Sequence, residues 1–338
     1  MLVDPPRRVI AEFGSCGGDL QLALDTAAAA VEAGAWMVKG QGYSVERLVT
    51  RGVPGYGDVS LDEPVTQWEA FEKALTIDEW AQVEASVERF GLSIFDPSWL
   101  EYPWQWVKIA SGDITWQELI EAAGMSGAQL IISTGASSVH EIARAVAWAG
   151  KPDIVLACTL TYPCPLEDAH VARVGTLRPV APMVGYSDHT RGIQAATVAF
   201  DVGADVVEKH FTIRPGTGGD NNFAIGPDEL YTLVYDPPQV DEETRRVILG
   251  DPTLEPRPSE SAARHLARRG VYTAVDLPAG TVIRRDHLTI LRPAADLEPW
   301  VLGTPESPVG QIMQHDAPAG VALTRGMFGR VRFTLTVT

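Results

Sequence analysis

Across roughly the first 230 residues, short runs of β-branched and aliphatic residues alternate with stretches whose apolar residues recur at spacings of three and four. No other feature constrains the fold as tightly. The runs 9–13, 36–39, 92–95, 107–110, 129–133, 154–159, 183–186 and 206–211 are predicted strands, and 20–33, 76–90, 116–123, 139–148 and 192–202 are predicted helices. Strict alternation implies a parallel sheet with right-handed crossovers, and eight such units imply an α/β fold of the closed (β/α)8 TIM-barrel type. The competing architecture is an open doubly wound sheet, but no Gly-x-Gly-x-x-Gly follows the first strand. One crossover is abbreviated: residues 96–106 include Pro97, Pro103 and three tryptophans, leaving room for at most two helical turns.

The barrel pattern fills residues 1–235. Residues 236–263 run from Asp236-Pro-Pro through a charged, helix-like stretch into a proline-rich segment that reads as a linker. Within 264–338, Asp276-Leu-Pro-Ala-Gly recurs 40 positions later as Asp316-Ala-Pro-Ala-Gly, which predicts a small β-rich domain with internal pseudo-symmetry. The alternating tail 331–338 predicts one extra strand.

The chain of 338 residues carries 27 Lys and Arg against 44 Asp and Glu, a net charge of −17. Such a surface repels phosphate backbones and anionic lipid, so neither nucleic acid nor a membrane is an expected partner. An anionic small substrate would need a local cluster of cations inside a cleft. Cys16, Cys158 and Cys164 are too few and too irregular for a disulfide framework and fit a reducing cytoplasm. No cationic segment followed by an apolar one opens the sequence, and no run approaches the roughly 18 apolar residues of a span, so a soluble, unexported protein is expected.

In such a barrel the site lies at the C-terminal ends of the strands. There the sequence places Glu12, Lys39, Gln41, Lys108, Ser111, Ser133, Thr134, Thr159, Tyr162, Ser187, Asp188, His189, Lys209, His210 and Thr212. Lysines and hydroxyls converging from several strands make an anion site suited to phosphate oxygens, against the plainer reading of lysines snorkelling to solvent. His189 and His210, on adjacent strands at equivalent heights, could share a divalent metal or act singly as hydrogen bonders.

Taken in series, Gly185-Tyr-Ser-Asp-His-Thr, Glu208-Lys-His-Phe-Thr, Lys108-Ile-Ala-Ser-Gly-Asp, Ser133-Thr-Gly, Cys158-Thr and Tyr162-Pro-Cys-Pro-Leu-Glu-Asp resemble the N-acetylneuraminate (sialic acid) synthase family from about residue 8 to 330. The repeat-bearing tail resembles that family's antifreeze-like (SAF) domain, a β-clip fold. The resemblance implies a transferase that condenses phosphoenolpyruvate with the open-chain aldehyde of an N-acetylmannosamine-like sugar, giving a 2-keto-3-deoxy sugar acid and phosphate. It implies Mn2+ or Mg2+ held by His189 and His210, with Glu12 completing the catalytic set. Lys39, Lys108, Ser111, Ser133 and Ser187 would bind phosphoenolpyruvate. Gln41, Tyr162 and Asp220, with Glu12, would serve the acceptor or assist proton transfer. Arg292 would reach the acceptor in the partner subunit's barrel of a domain-crossed homodimer.

The chain departs from this family where the acceptor should bind. Phe13-Gly-Ser-Cys-Gly-Gly is one residue short and lacks the usual Asn-His pair; Lys39-Gly-Gln stands for Lys-Phe-Gln, Ser93-Ile-Phe-Asp for Ser-Thr-Pro-Phe-Asp, and Gly218-Gly-Asp-Asn for Gly-Pro-Asp-His. A polar residue after Thr159 is Leu160, and a histidine before Cys158 is Ala157. An altered aldehyde is the expectation. Related phosphoenolpyruvate synthases carry a cysteine metal ligand after their first strand, so Cys16 is either a metal-bound thiolate or a small thiol filling space. Two other functions stay open: a Schiff-base aldolase using Lys39, Lys108 or Lys209, and a catalytically degenerate barrel that binds a sugar acid.

Overall fold

The computed structural model describes residues 5–55 and 66–329; the tail expected as an extra strand, 331–338, lies outside them. Eight parallel strands close into a barrel in chain order: β1 (Val9–Glu12), β2 (Met37–Gly42), β3 (Phe90–Ile94), β4 (Trp106–Ile109), β5 (Gln129–Ser133), β6 (Ile154–Cys158), β7 (Met183–Asp188) and β8 (Val206–His210). Closure is made by β1 pairing with β8, Glu12 opposite His210. Around them lie α1 (Leu20–Glu32), α2 (Val45–Leu48), α3 (Gln67–Phe71), α4 (Ile77–Ala85), α5 (Gln117–Met125), α6 (Val139–Ala149), α7 (Arg173–Leu177), α8 (Gln194–Asp201) and α9 (Pro227–Tyr235). The β3–β4 crossover holds only the 3-10 turn Pro97–Glu101, as its two prolines require.

The period of two along each strand builds the barrel in layers. Ile10, Met37, Trp106, Ile131, Ile154, Leu156 and Val206 meet in one apolar cluster inside the barrel. Two residues further along each strand the same inward row turns polar: Glu12, Lys39, Lys108, Ser133, Cys158 and Glu208 line a cavity. The intervening residues, among them Val9, Ala11, Val38, Val107, Ile132, Val155, Val184 and Val207, pack outward in the main core with the helices. A single alternation therefore sets both the plug at the bottom and the chemistry at the top.

The predicted helix 76–90 is five residues too long at its C-terminal end. The helix ends at Ala85, Ser86 caps it by donating to the Val83 carbonyl, and Phe90 opens β3. Beyond the barrel, part of the expected linker is regular: α10 (Glu242–Leu249) buries Ile248 completely, and α11 (Ser261–Ala267) follows.

Among the described residues the C-terminal domain contains two antiparallel pairs, β9 (Gly270–Thr273) with β10 (Leu288–Leu291), and β11 (Ile312–Met313) with β12 (Phe328–Gly329). Its repeats meet about a local pseudo-dyad. Leu277 and Ala317 exchange both backbone hydrogen bonds, at 2.8 and 2.9 Å. Asp276 accepts from the Ala319 N–H, and Asp316 from the Ala279 N–H, at 2.8 and 2.7 Å. Gly280 and Gly320 both turn at positive φ, 85° and 80°, where a side chain would be strained.

Candidate active site

The cavity at the C-terminal ends of the strands holds about 690 Å³. At its floor four charges interlock. Lys108 donates to Glu208 at 2.5 Å, Lys39 lies 3.9 Å from the same carboxylate and 3.5 Å from Glu12, and Lys39 also donates to Ser93 at 2.8 Å. Burial lowers the Lys39 pKa, against the opposing pull of Glu12 and Glu208. Ser111, Ser133 and Ser187 line the same cavity. Ser111 Oγ accepts from Gly135 N–H at 2.9 Å, Ser187 is 3.4 Å from Glu208, and the buried Ser133 hydroxyl has no partner among the described residues. A buried hydroxyl without a partner beside two lysines suits an oxyanion.

Glu12 is the centre of a second group. It accepts from Gln41 at 3.0 Å and Gly14 N–H at 2.9 Å, and its other oxygen is 2.9 Å from His210 Nδ1. Burial would raise its pKa, but Lys39, His210 and these hydrogen bonds outweigh that and hold it well below the usual carboxylate range. Burial likewise opposes the charged form of His210, yet Glu12 and Asp220 raise its pKa. Asp220, at the exposed rim, is 3.5 Å from His210. His189 differs: burial, then His210 and Lys108, push its pKa well down, and its Nδ1–H donates to the Thr159 carbonyl at 2.9 Å. Tyr162 stacks on His189, ring centroids 4.1 Å apart.

Among the described residues, one group brings three donors of metal-ligating type within 4.8 Å of one another: Glu12, His210 and Asp220. One imidazole with two carboxylates fits a hard or borderline divalent ion such as Mn2+ or Mg2+. The expected pairing was His189 with His210. Their ring centroids are 5.5 Å apart, and His189 stands outside the three-donor group, its orientation fixed by the Thr159 carbonyl so that Nε2 is the lone pair it can offer. Cys16 lies on the cavity wall at φ 49°, also outside the group. Its thiol donates to the Phe13 carbonyl at 3.7 Å, and burial, reinforced by Glu12, pushes its pKa to about 12.

Some strand-end candidates face elsewhere. Lys209 points away from the cavity into a fully buried pair with Asp188 at 2.9 Å, which removes it as a Schiff-base lysine. The Thr134 and Thr159 hydroxyls donate to the carbonyls of Leu156 and Asp168. Conversely, sequence reasoning did not single out Glu208, Ser93, Gln67, Phe71, Phe95 or Arg214, all on the cavity wall. Glu208 was legible: it lies two residues before His210, so it shares His210's inward row. Arg292 closes the outer end of the cavity, 4% exposed.

A closed (β/α)8 barrel with paired lysines, hydroxyls and a histidine–carboxylate group at its catalytic end, followed by a small pseudo-symmetric β domain, defines a class of sugar-acid synthases. Residues 26–246 match the NeuB family and residues 268–328 the SAF domain. The chain belongs to the NeuB family and is a sialic acid synthase-type enzyme. It is 32% identical to the N,N'-diacetyllegionaminic acid synthase of Legionella pneumophila, covering 93% of this chain and 92% of that one. It is 27% identical to the human (Homo sapiens) N-acetylneuraminate-9-phosphate synthase, over 84% and 83% of the two chains. The crystal structure of spore coat polysaccharide biosynthesis protein spsE from Bacillus subtilis shares the fold with a TM-score of 0.75 at 23% identity, covering 98% of this chain and 97% of that one. The N-acetylneuraminic acid synthetase of Leptospira borgpetersenii superposes with a TM-score of 0.59 at 32% identity, over 77% and 90%.

Proposed function

We propose that this chain condenses phosphoenolpyruvate with an aldehyde sugar to give a 2-keto-3-deoxy sugar acid and inorganic phosphate, using Mn2+ or Mg2+. The observation that carries the reading is the meeting of Lys39, Lys108 and the unpartnered Ser133 hydroxyl with the Glu12–His210–Asp220 group in one cavity. Similarity to synthases of sialic and legionaminic acids supports the donor and the sugar class.

In this reaction C3 of the enol ester forms a bond to the aldehyde carbon, water adds at C2, and phosphate leaves with the C2–O bond. Lys39 and Lys108 hold the donor's anionic groups, with Ser111, Ser133 and Ser187 supplying hydroxyls. Glu208 spaces the two ammonium groups by bonding one and facing the other. Glu12, held in its ionised form, would take a proton from the attacking water, with Gln41 donating to its carboxylate. A divalent ion held by His210, Glu12 and Asp220, with His189 beside them, would polarise the aldehyde oxygen as a Lewis acid. Glu12 and Asp220 raise the His210 pKa, so a proton competes with the ion for this imidazole and ion binding weakens as pH falls. Three cysteines outside any disulfide support a cytoplasmic setting, and among the described residues no helix is long and apolar enough to cross a membrane.

The test is phosphate release from phosphoenolpyruvate with Mn2+ against a panel of aldehydes that includes N-acetylmannosamine and its 2,4-diacetamido relatives. Release is expected to need an aldehyde, to stop with a chelator, and to fall about 10²–10⁴-fold in His210→Ala. Chelator-resistant turnover with borohydride trapping on Lys39 or Lys108 would overturn it in favour of a Schiff-base aldolase.

A further inference from the structure

Where the outward rows of β7 and β8 meet the helical layer, two charges are shut away from solvent. Asp188 and Lys209 stand opposite each other in the strand register, both 0% exposed, with Lys209 Nζ 2.9 Å from Asp188 Oδ2. Tyr186 and Val207, two residues earlier on the same outward faces, belong to the apolar core together with Ala195, Ala196 and Ala199 of α8. In such a layer an apolar pair of the same volume would serve stability as well as two desolvated ions do. What the ions add is direction. Lys209 Nζ also donates to the Thr190 carbonyl, and the other Asp188 oxygen accepts from Thr190 N–H at 2.8 Å. The pair therefore grips both backbone groups of Thr190 and fastens the turn Asp188-His189-Thr190 onto β8.

His189 lies inside that turn, and His210 directly follows Lys209 on β8. The other contacts of His189 come from β6 and the loop after it. Its carbonyl accepts from Cys164 N–H at 2.8 Å, and its Nδ1–H donates to the Thr159 carbonyl at 2.9 Å. Its ring stacks on Tyr162 and lies 3.8 Å from the Cys158 thiol. These contacts fix His189 relative to β6. The tie from its turn to the strand that carries His210 is the Asp188–Lys209 pair.

We infer that Asp188 and Lys209 are positioning residues: from outside the cavity they hold the His189 and His210 rings at their 5.5 Å separation, and through those rings they sustain the site's affinity for a divalent ion. The ion part rests on the reading under Proposed function; the ring separation does not, and separate measurements on the full-length protein decide each.

Lys209→Met alone strands a buried carboxylate and is expected to fold poorly. The test variant is therefore Asp188→Asn with Lys209→Met, which removes both charges and keeps an acceptor for Thr190 N–H; Asp188→Leu with Lys209→Met takes its place if circular dichroism and the urea midpoint show the first to be unfolded. A crystal structure of the folded double variant, with neither metal nor substrate, is expected to show the 188–190 turn displaced and the ring separation changed by about 1 Å or more. An unchanged separation would overturn the inference whether or not the chain is a synthase.

Mn2+ affinity, read from the paramagnetic resonance signal of the free ion, is expected to weaken about 10–100-fold in the double variant. The phosphoenolpyruvate KM at saturating Mn2+ is expected to stay unchanged. Undiminished Mn2+ affinity with displaced rings would overturn the link to the ion. A phosphoenolpyruvate KM rising in step with the Mn2+ Kd would show a general loosening of the barrel and overturn the positioning role. Absence of Mn2+ binding by the unmodified protein would instead overturn the metal reading of the site and leave the ring separation to decide the role of the pair.

Discussion

Glu141 shows how much one buried carboxylate can carry. It caps α6 by accepting from Ser138 N–H, and its two oxygens bond Arg264 at 2.8 and 3.1 Å with Arg268 at 3.7 Å. Burial alone would raise its pKa; Arg264, Arg268 and the Ser138 amide together bring it down to about 2. A carboxylate whose folded pKa is depressed stabilises the fold fully above its unfolded value near 4.5, and that stabilisation is lost as pH falls from about 4.5 toward 2. Solvent screening at the half-exposed Arg264 partner reduces the contribution to roughly 1–2 kcal/mol. Glu141→Gln keeps a capping side chain and is expected to unfold earlier in urea at pH 7, the difference shrinking to nothing as pH approaches 2. An equal gap at both ends of that range would rule out the ionisation as its cause. The sequence displays Ser138-x-x-Glu141 as a capping box, but nothing in it says that Arg264, far along the chain, completes the site.

Among the elements, β2 and α4 illustrate how a change in one strand is absorbed by a neighbour. Gly40 stands where the resembled family carries phenylalanine, and a Cβ there would lie 2.3 Å from the ring of Trp80. Trp80 is fully buried and comes from α4, so the indole fills from outside the space a side chain on β2 would take. Gly40→Ala is expected to cost about 1–3 kcal/mol in urea unfolding through overpacking. Combined with Trp80→Leu, it should cost less than the two single losses added; strict additivity would show that the two sites do not share this space. The strands themselves were legible, because alternation is a local property and each inward row runs from apolar to polar within a few residues. Helix ends were less so. The apolar spacing that marks α4 continues into Phe90, which belongs to the next strand, and only the closure of β3 against β2 and β4 decides that it is not helical.

At the scale of the whole molecule, two bodies are held together by a buried ion pair. Asp113 and Arg269 are both 0% exposed. Removing one partner of such a pair strands the other charge, so Asp113→Asn is expected to lower stability by about 3–5 kcal/mol and to loosen the C-terminal domain from the barrel. Calorimetry should show a lowered or divided transition; a loss below about 1 kcal/mol would mean that the backbone pairing at Arg292 holds the domains without this clamp. What the sequence determined by itself was everything carried by short-range period and order: eight strands, their parallel closure, the residues at their C-terminal ends, and a repeat that predicts a pseudo-symmetric partner domain. Tertiary structure alone decided which charges meet. It set Glu208 between two lysines, turned Lys209 out of the cavity, gathered Asp220 with Glu12 and His210, and brought Arg292 to the cavity wall. Each of these depends on distances between elements far apart in the chain, and spacing along a sequence carries no record of such distances until the barrel closes and the last domain docks.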